Sequence, residues 1–122
     1  LGNNELLTME VEETENGITI LTLVGEIDLE SGPALADEFR KLAGRKPKRV
    51  IVDASGVTFM DSTGIHTLVE GKRALHDAGT SLVLVSSRIV RRVLELVFPT
   101  PMFAIRVDTL EEALATLESE TR

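Results

Sequence analysis

The sequence predicts an α/β domain with a mixed β-sheet and helices, in the order β-β-α-β-α-β-α-β-α. Three observations carry that prediction. There is an alternating apolar and polar run that ends near Asn-Gly, there are short all-apolar runs bounded by turn residues, and stretches of helical spacing lie between those runs. A chain of 122 residues accommodates one core, so the sequence is read as a single domain over 1–122 with its core at about 7–117.

Leu7, Met9 and Val11 alternate with Thr8, Glu10 and Glu12, which predicts a half-buried strand from Leu7 to Thr14. Asn16-Gly17 offers the φ > 0 positions of a tight turn, and Ile18 to Val24 returns as the second strand of a hairpin. Leu35, Phe39 and Leu42 then recur at helical spacing. Ser31 is the predicted N-cap, Pro33 falls in the first turn and Gly44 is the expected stop. The apolar run Val50, Ile51, Val52 predicts a strand buried on both faces, followed by "DASGVTFMDSTG" as a long loop. Ile65, Leu68, Val69 and Leu75 predict a helix from about Ser62 to Ala78, closed by Gly79. "SLVLVS" reads as another buried strand. Val90, Val93, Leu94 and Val97 mark a third helix that Pro99 and Pro101 end. "AIRV" is a last short strand. Thr109 and Glu112 form a capping box for a final helix carrying Leu110, Ala113, Leu114 and Leu117, beyond which the acidic tail is expected to fray.

Hydrophobic residues make up 43% and charged residues 27%, the balance of a globular protein. No apolar run approaches the roughly 20 residues needed to span a bilayer, and the beginning of the sequence has no secretory pattern. A cytoplasmic chain with no membrane contact is expected. The absence of cysteine excludes disulfides, thiolate zinc sites and cysteine nucleophiles, and no metal or cofactor is expected. A net charge of −7 argues against nucleic acid as a partner, and with no Trp or Tyr there is little to stack on a base. A protein partner or a small molecule fits better.

Loops that leave the carboxyl ends of parallel strands gather on one edge of such a sheet, where ligands usually bind. "GEIDLESG" brings Glu26 and Asp28 there, and "DASGVTFMDSTG" brings Asp53, Asp61, Ser62 and Thr63. Ser62 opens a helix, where free backbone N–H groups and the dipole favour an anion. Either Asp61 or Ser62 can cap that helix, and if Asp61 does, Ser62 stays free.

Three enzymatic readings fail on their motifs. His66 lies four residues after Ser62, but Met60, Asp61, Thr63 and Gly64 do not make the Gly-x-Ser-x-Gly elbow of a serine hydrolase. "DSTG" has one residue too many for an aspartic protease and no second copy. A phosphoaccepting Asp53 in a receiver-like chain needs a lysine after the last strand, whereas Lys72 is the final lysine. That leaves His66 as a solvated helix residue and Asp53 as a turn acid. Phe59 and Met60 are expected to plug the sheet edge beneath the helix. Arg88, Arg91 and Arg92, like Glu111, Glu112, Glu118 and Glu120, read as solvated faces.

Taken together, "GEID", "VIVDASGVTFMDSTGI" and the strand and helix order resemble the STAS domain of bacterial anti-sigma factor antagonists, from about Leu7 to Leu117. The family's switch site is Asp-Ser-Ser/Thr-Gly after the third strand. The resemblance therefore implies that Ser62 is the phosphorylated serine and that Asp28, Asp61, Ser62, Thr63 and Gly64 meet the partner. It implies a non-enzymatic switch. Unphosphorylated, such a protein binds an anti-sigma factor, which is itself an ATP-dependent serine kinase, and frees a sigma factor; phosphorylation ends the binding and a PP2C-type phosphatase resets it. ATP belongs to the partner. Asp28→Ala is expected to weaken partner binding with little change in melting temperature. The Pro99 and Pro101 segment departs from the family's usual turn, and Thr63 offers a second hydroxyl beside the first. Other STAS roles, as a scaffold subunit or a transporter's regulatory domain, are the alternative, with a receiver-like or hydrolytic protein more remote.

Overall fold

The computed structural model describes residues 6–97 and 106–119. Its elements are β1 (Leu7–Glu13), β2 (Thr19–Ile27), α1 (Gly32–Gly44), β3 (Arg49–Met60), α2 (Ser62–Asp77), β4 (Ser81–Ser86), α3 (Arg88–Val97), β5 (Arg106–Val107) and α4 (Leu110–Ser119). The order is the one the sequence predicts. The Pro99 and Pro101 segment and Glu120 lie outside the described residues.

The five strands form one sheet in the order β1-β2-β3-β4-β5, with β1 antiparallel to β2 and the other neighbours parallel. Each crossover advances by one strand in the same direction. Right-handed crossovers of that kind place their helices on one face, and the packing agrees. Leu35, Phe39 and Leu42 of α1, Ile65, Leu68 and Leu75 of α2, and Val90 and Leu94 of α3 share a core with Leu21, Leu23, Val50, Val52 and Leu84. On the opposite face, among the described residues, α4 covers Ile18, Ile20, Ile51, Val83 and Val85 through Ala113 and Leu117. Successive residues of β2 and β3 therefore supply two different cores, which is why Val50, Ile51 and Val52 read as an unbroken apolar run.

Several local expectations need correction. Only Gly17 of the Asn16-Gly17 pair has positive φ, at 77°. The Gly17 N–H donates to the Thr14 carbonyl at 3.0 Å, so this is a three-residue hairpin loop that ends in a left-handed glycine. Helix α1 includes Gly44, and the left-handed position after it belongs to Lys46 at φ 50°. Helix α4 extends through Ser119, two residues into the tail expected to fray, while Asn16 Nδ2 donates to Glu118 Oε2 at 2.8 Å. The Thr109 hydroxyl caps α4 by accepting the Glu112 N–H at 3.1 Å.

The largest correction concerns β3. The stretch expected as a loop, Asp53 to Met60, is strand. It pairs with the end of β2 through Val24↔Gly56, Gly25↔Val57, Glu26↔Phe59 and Ile27↔Met60, with two register irregularities that absorb the surplus residues. β4 stops at the level of Ala54. The sheet thus carries a β2-β3 extension past its other parallel strands, and the loop shrinks to Asp61.

Candidate functional site

The end of the β2-β3 extension brings the two candidate segments together. Ile27 and Met60 are register partners on adjacent parallel strands, so Asp28 and Asp61, each one residue further on, leave the sheet side by side. The Asp61 N–H donates to the Ile27 carbonyl at 3.3 Å and ties the two exits to each other. Glu26 is not in the loop but in β2.

Asp61 has the extended backbone of an N-cap, φ −103° and ψ −172°, and its Oδ1 accepts the Gly64 N–H at 2.9 Å. The cap is therefore the aspartate, and Ser62 is exposed. Thr63 is half-buried and turns toward α1: a Cβ on Gly32 would lie 3.5 Å from Thr63 Cγ2 and 3.3 Å from Thr67 Oγ1. Gly64 is buried. A Cβ there would come within 2.4 Å of the Ile27 carbonyl oxygen and 2.7 Å of Met60 Cγ, so only glycine lets the first turn of α2 sit on the strand ends.

Asp28 is held as tightly. Its Oδ1 accepts the N–H groups of Glu30 and Ser31, each at 3.0 Å. Ser31, expected as a helix cap, makes no side-chain cap bond and is buried. Its hydroxyl accepts the Asp28 N–H at 3.0 Å, and its one proton faces the Glu26 carbonyl at 2.7 Å and Asp28 Oδ1 at 3.1 Å. The Ser31 N–H, joined by the Ser31 hydroxyl and the Glu30 N–H, holds the Asp28 carboxyl below its ordinary value, against the smaller opposing effect of burial. Asp28 therefore has a structural task in the turn, which the expectation of an unchanged melting temperature on Asp28→Ala did not include. Ser31 was missed as a site residue. The Asp-x-x-Ser spacing of an Asx turn was its available signal.

The other candidates separate. Asp53 is buried, and its Oδ1 accepts both the N–H (3.0 Å) and the hydroxyl (2.6 Å) of Ser55, a local use within the irregular strand. His66 is exposed on α2. Met60 is buried beneath α2, but Phe59 is 46% exposed, because neighbouring strand residues face opposite sides and the opposite side is not covered there. Val24, 49% exposed, lies on that side too. Arg91 pairs with Asp108, so the arginine group on α3 is not wholly solvated. Among the described residues no three His, Asp or Glu side chains gather to hold a metal ion, and no helix is long and apolar enough to cross a membrane.

The STAS domain family model matches residues 9–98. This chain belongs to the STAS domain family. Over 99 residues it is 27% identical to the anti-sigma-F factor antagonist RsfB of Mycobacterium tuberculosis, which covers 81% of this chain and 80% of that protein. The STAS fold is shared with the crystal structure of an anti-sigma factor antagonist from Mycobacterium paratuberculosis, with a TM-score of 0.79 and 26% identity, over 97% of this chain and 99% of that one. The unphosphorylated form of the anti-sigma factor antagonist SpoIIAA superposes with a TM-score of 0.70 at 20% identity, over 92% and 97% of the two chains. The phosphorylated form of the Bacillus SpoIIAA gives 0.67 at 20% identity, over 90% and 99%. In this STAS domain the Asp61-Ser62-Thr63-Gly64 sequence stands at the start of α2, and Asp28 stands beside it.

Proposed function

We propose that this STAS domain is an anti-sigma factor antagonist that works as a partner switch, with Ser62 as its phosphoacceptor. One observation carries the reading. Asp61 supplies the helix cap, so the neighbouring hydroxyl of Ser62 stands exposed at the strand ends with no hydrogen bond among the described residues to lose. The similarity to RsfB supports the same role.

In this reading the partner is an anti-sigma factor that is also a serine kinase. It transfers the terminal phosphoryl group of ATP to Ser62 Oγ; the hydroxyl proton leaves and ADP is released. A PP2C-type phosphatase hydrolyses the ester and restores the hydroxyl. The chain itself performs no catalysis, needs no cofactor, and acts in the cytoplasm. Asp28, Asp61, Ser62 and Thr63 form the polar part of the contact, and Gly64 contributes by letting the helix sit close.

The change in charge accounts for the switch. A phosphate adds about 1.5 to 2 negative charges at a helix start that tolerates them, so the fold survives. The interface does not, because the contact would have to take the added charge out of water at a cost of several kcal/mol, and about 1.4 kcal/mol is a tenfold change in affinity. Calorimetry against the cognate anti-sigma factor tests this. Ser62→Ala is expected to bind as the wild type does and Ser62→Asp at least tenfold more weakly; equal affinity of all three would defeat the mechanism.

A further inference from the structure

Helix α2 has a sharply divided surface. Gly64, Ile65, Thr67, Leu68, Gly71 and Leu75 are buried, while Ser62, His66, Glu70, Arg73, His76 and Asp77 are exposed. Of these, Ser62, His66, Glu70, Arg73 and Asp77 follow one another at intervals of four, four, three and four and form a stripe along the helix, with His76 beside its far end. Glu70, Arg73 and Asp77 alternate in sign along it, and Arg73 Nη1 lies 3.5 Å from Glu70 Oε1. Ser62, at the first position, carries no ionisable group.

We propose that His66 is the counter-cation for a phosphate on Ser62, so that phosphorylation completes an alternating ladder along α2. This inference rests on the assignment of Ser62 as the phosphoacceptor. Helical side chains lean toward the N-terminus, so position 66 is placed to reach back over the turn that begins at Ser62. An acid four residues before a base is also the favourable orientation for such a pair. Charged groups near this end of α2 include Asp61, bound to the Gly64 N–H, Asp28 and Glu30 of the turn before α1, and Glu26 near the end of β2. Glu38 of α1 and Asp53 of β3 are buried in the elements beneath. None of these offers a cation. His66 is the one basic side chain within a turn of Ser62 on its helix face.

The test installs phosphoserine at position 62 during synthesis, so that no kinase is needed, and follows its second ionisation by phosphorus NMR. A neighbouring cation favours the dianion, so the midpoint with His66 is expected about 0.3 pH unit lower than in His66→Gln. His66→Arg should keep the lowered midpoint. His76→Gln, at the far end of the same helix, should leave it unchanged. Identical midpoints with and without His66, or an equal displacement from His76→Gln, would overturn the proposal. Failure of the partner-switch reading would appear instead as phosphate-insensitive binding to the anti-sigma factor, which this titration does not measure.

Discussion

The two ends of the parallel strands use their polar side chains in opposite ways. At the amino end the hydroxyl and the cation tie separate segments of the chain together. Thr80 Oγ1 donates to the Pro47 carbonyl at 2.6 Å, the Ser81 N–H donates to the Lys48 carbonyl at 2.8 Å, and Arg49 reaches the carbonyls of Asn16 and Leu117. At the carboxyl end the acids Asp28 and Asp61 bind the backbone, and a hydroxyl one residue from Asp61 is left exposed. The difference teaches how a fold frees a residue for modification: a neighbour takes over the structural bond that the residue would otherwise make.

Substitutions rank the parts of this contrast. The largest effect is expected at Gly64, where alanine drives a Cβ into a backbone carbonyl. Gly64→Ala should lose about 3 kcal/mol, the upper end of overpacking, in a urea denaturation curve. Thr80→Val at the amino end removes a buried hydrogen bond and leaves the Pro47 carbonyl without it, a loss of about 1–3 kcal/mol by the same measurement. Asp61→Ala removes a cap and should cost about 1 kcal/mol. Ser62→Ala should stay within about 0.5 kcal/mol of the wild type, because its hydroxyl supports nothing. If Ser62→Ala destabilises as much as Asp61→Ala, the division of labour between the two is wrong.

The smallest effect is in acid. The Asp28 carboxyl is held below its ordinary value in the folded chain, so it binds fewer protons there than in the unfolded chain. Its contribution is present in full above the ordinary aspartate range and is lost as pH falls through the depressed folded value. Asp28→Asn should therefore show a shallower loss of melting temperature between about pH 5 and pH 2 than the wild type, and parallel curves would remove Asp28 from the turn.

Much of this was legible in the sequence. Periods of two and of 3.6 located the strands and helices because each packs one face or stripe against a core, and the acid before Ser62 announced the cap. The length of β3 was not legible. Asp53, Ser55, Gly56 and Thr58 carry turn chemistry, and they lie in a strand only because irregular pairing with the end of β2 accommodates them. The same blind spot separates exposed Phe59 from buried Met60: once the segment is strand, its neighbours alternate between a covered face and an open one. Ser31 was read as a cap because its position is right, whereas its hydroxyl points back to Asp28 and Glu26, a choice that only the three-dimensional turn decides.

The central claim is that Asp61 holds the helix and Ser62 is free to be modified. Intact-mass spectrometry after incubation with the cognate serine kinase and ATP tests it most directly. The account predicts a gain of one phosphate in the wild type and none in Ser62→Ala. Phosphate retained by Ser62→Ala, on Thr63 or Asp53, would contradict it.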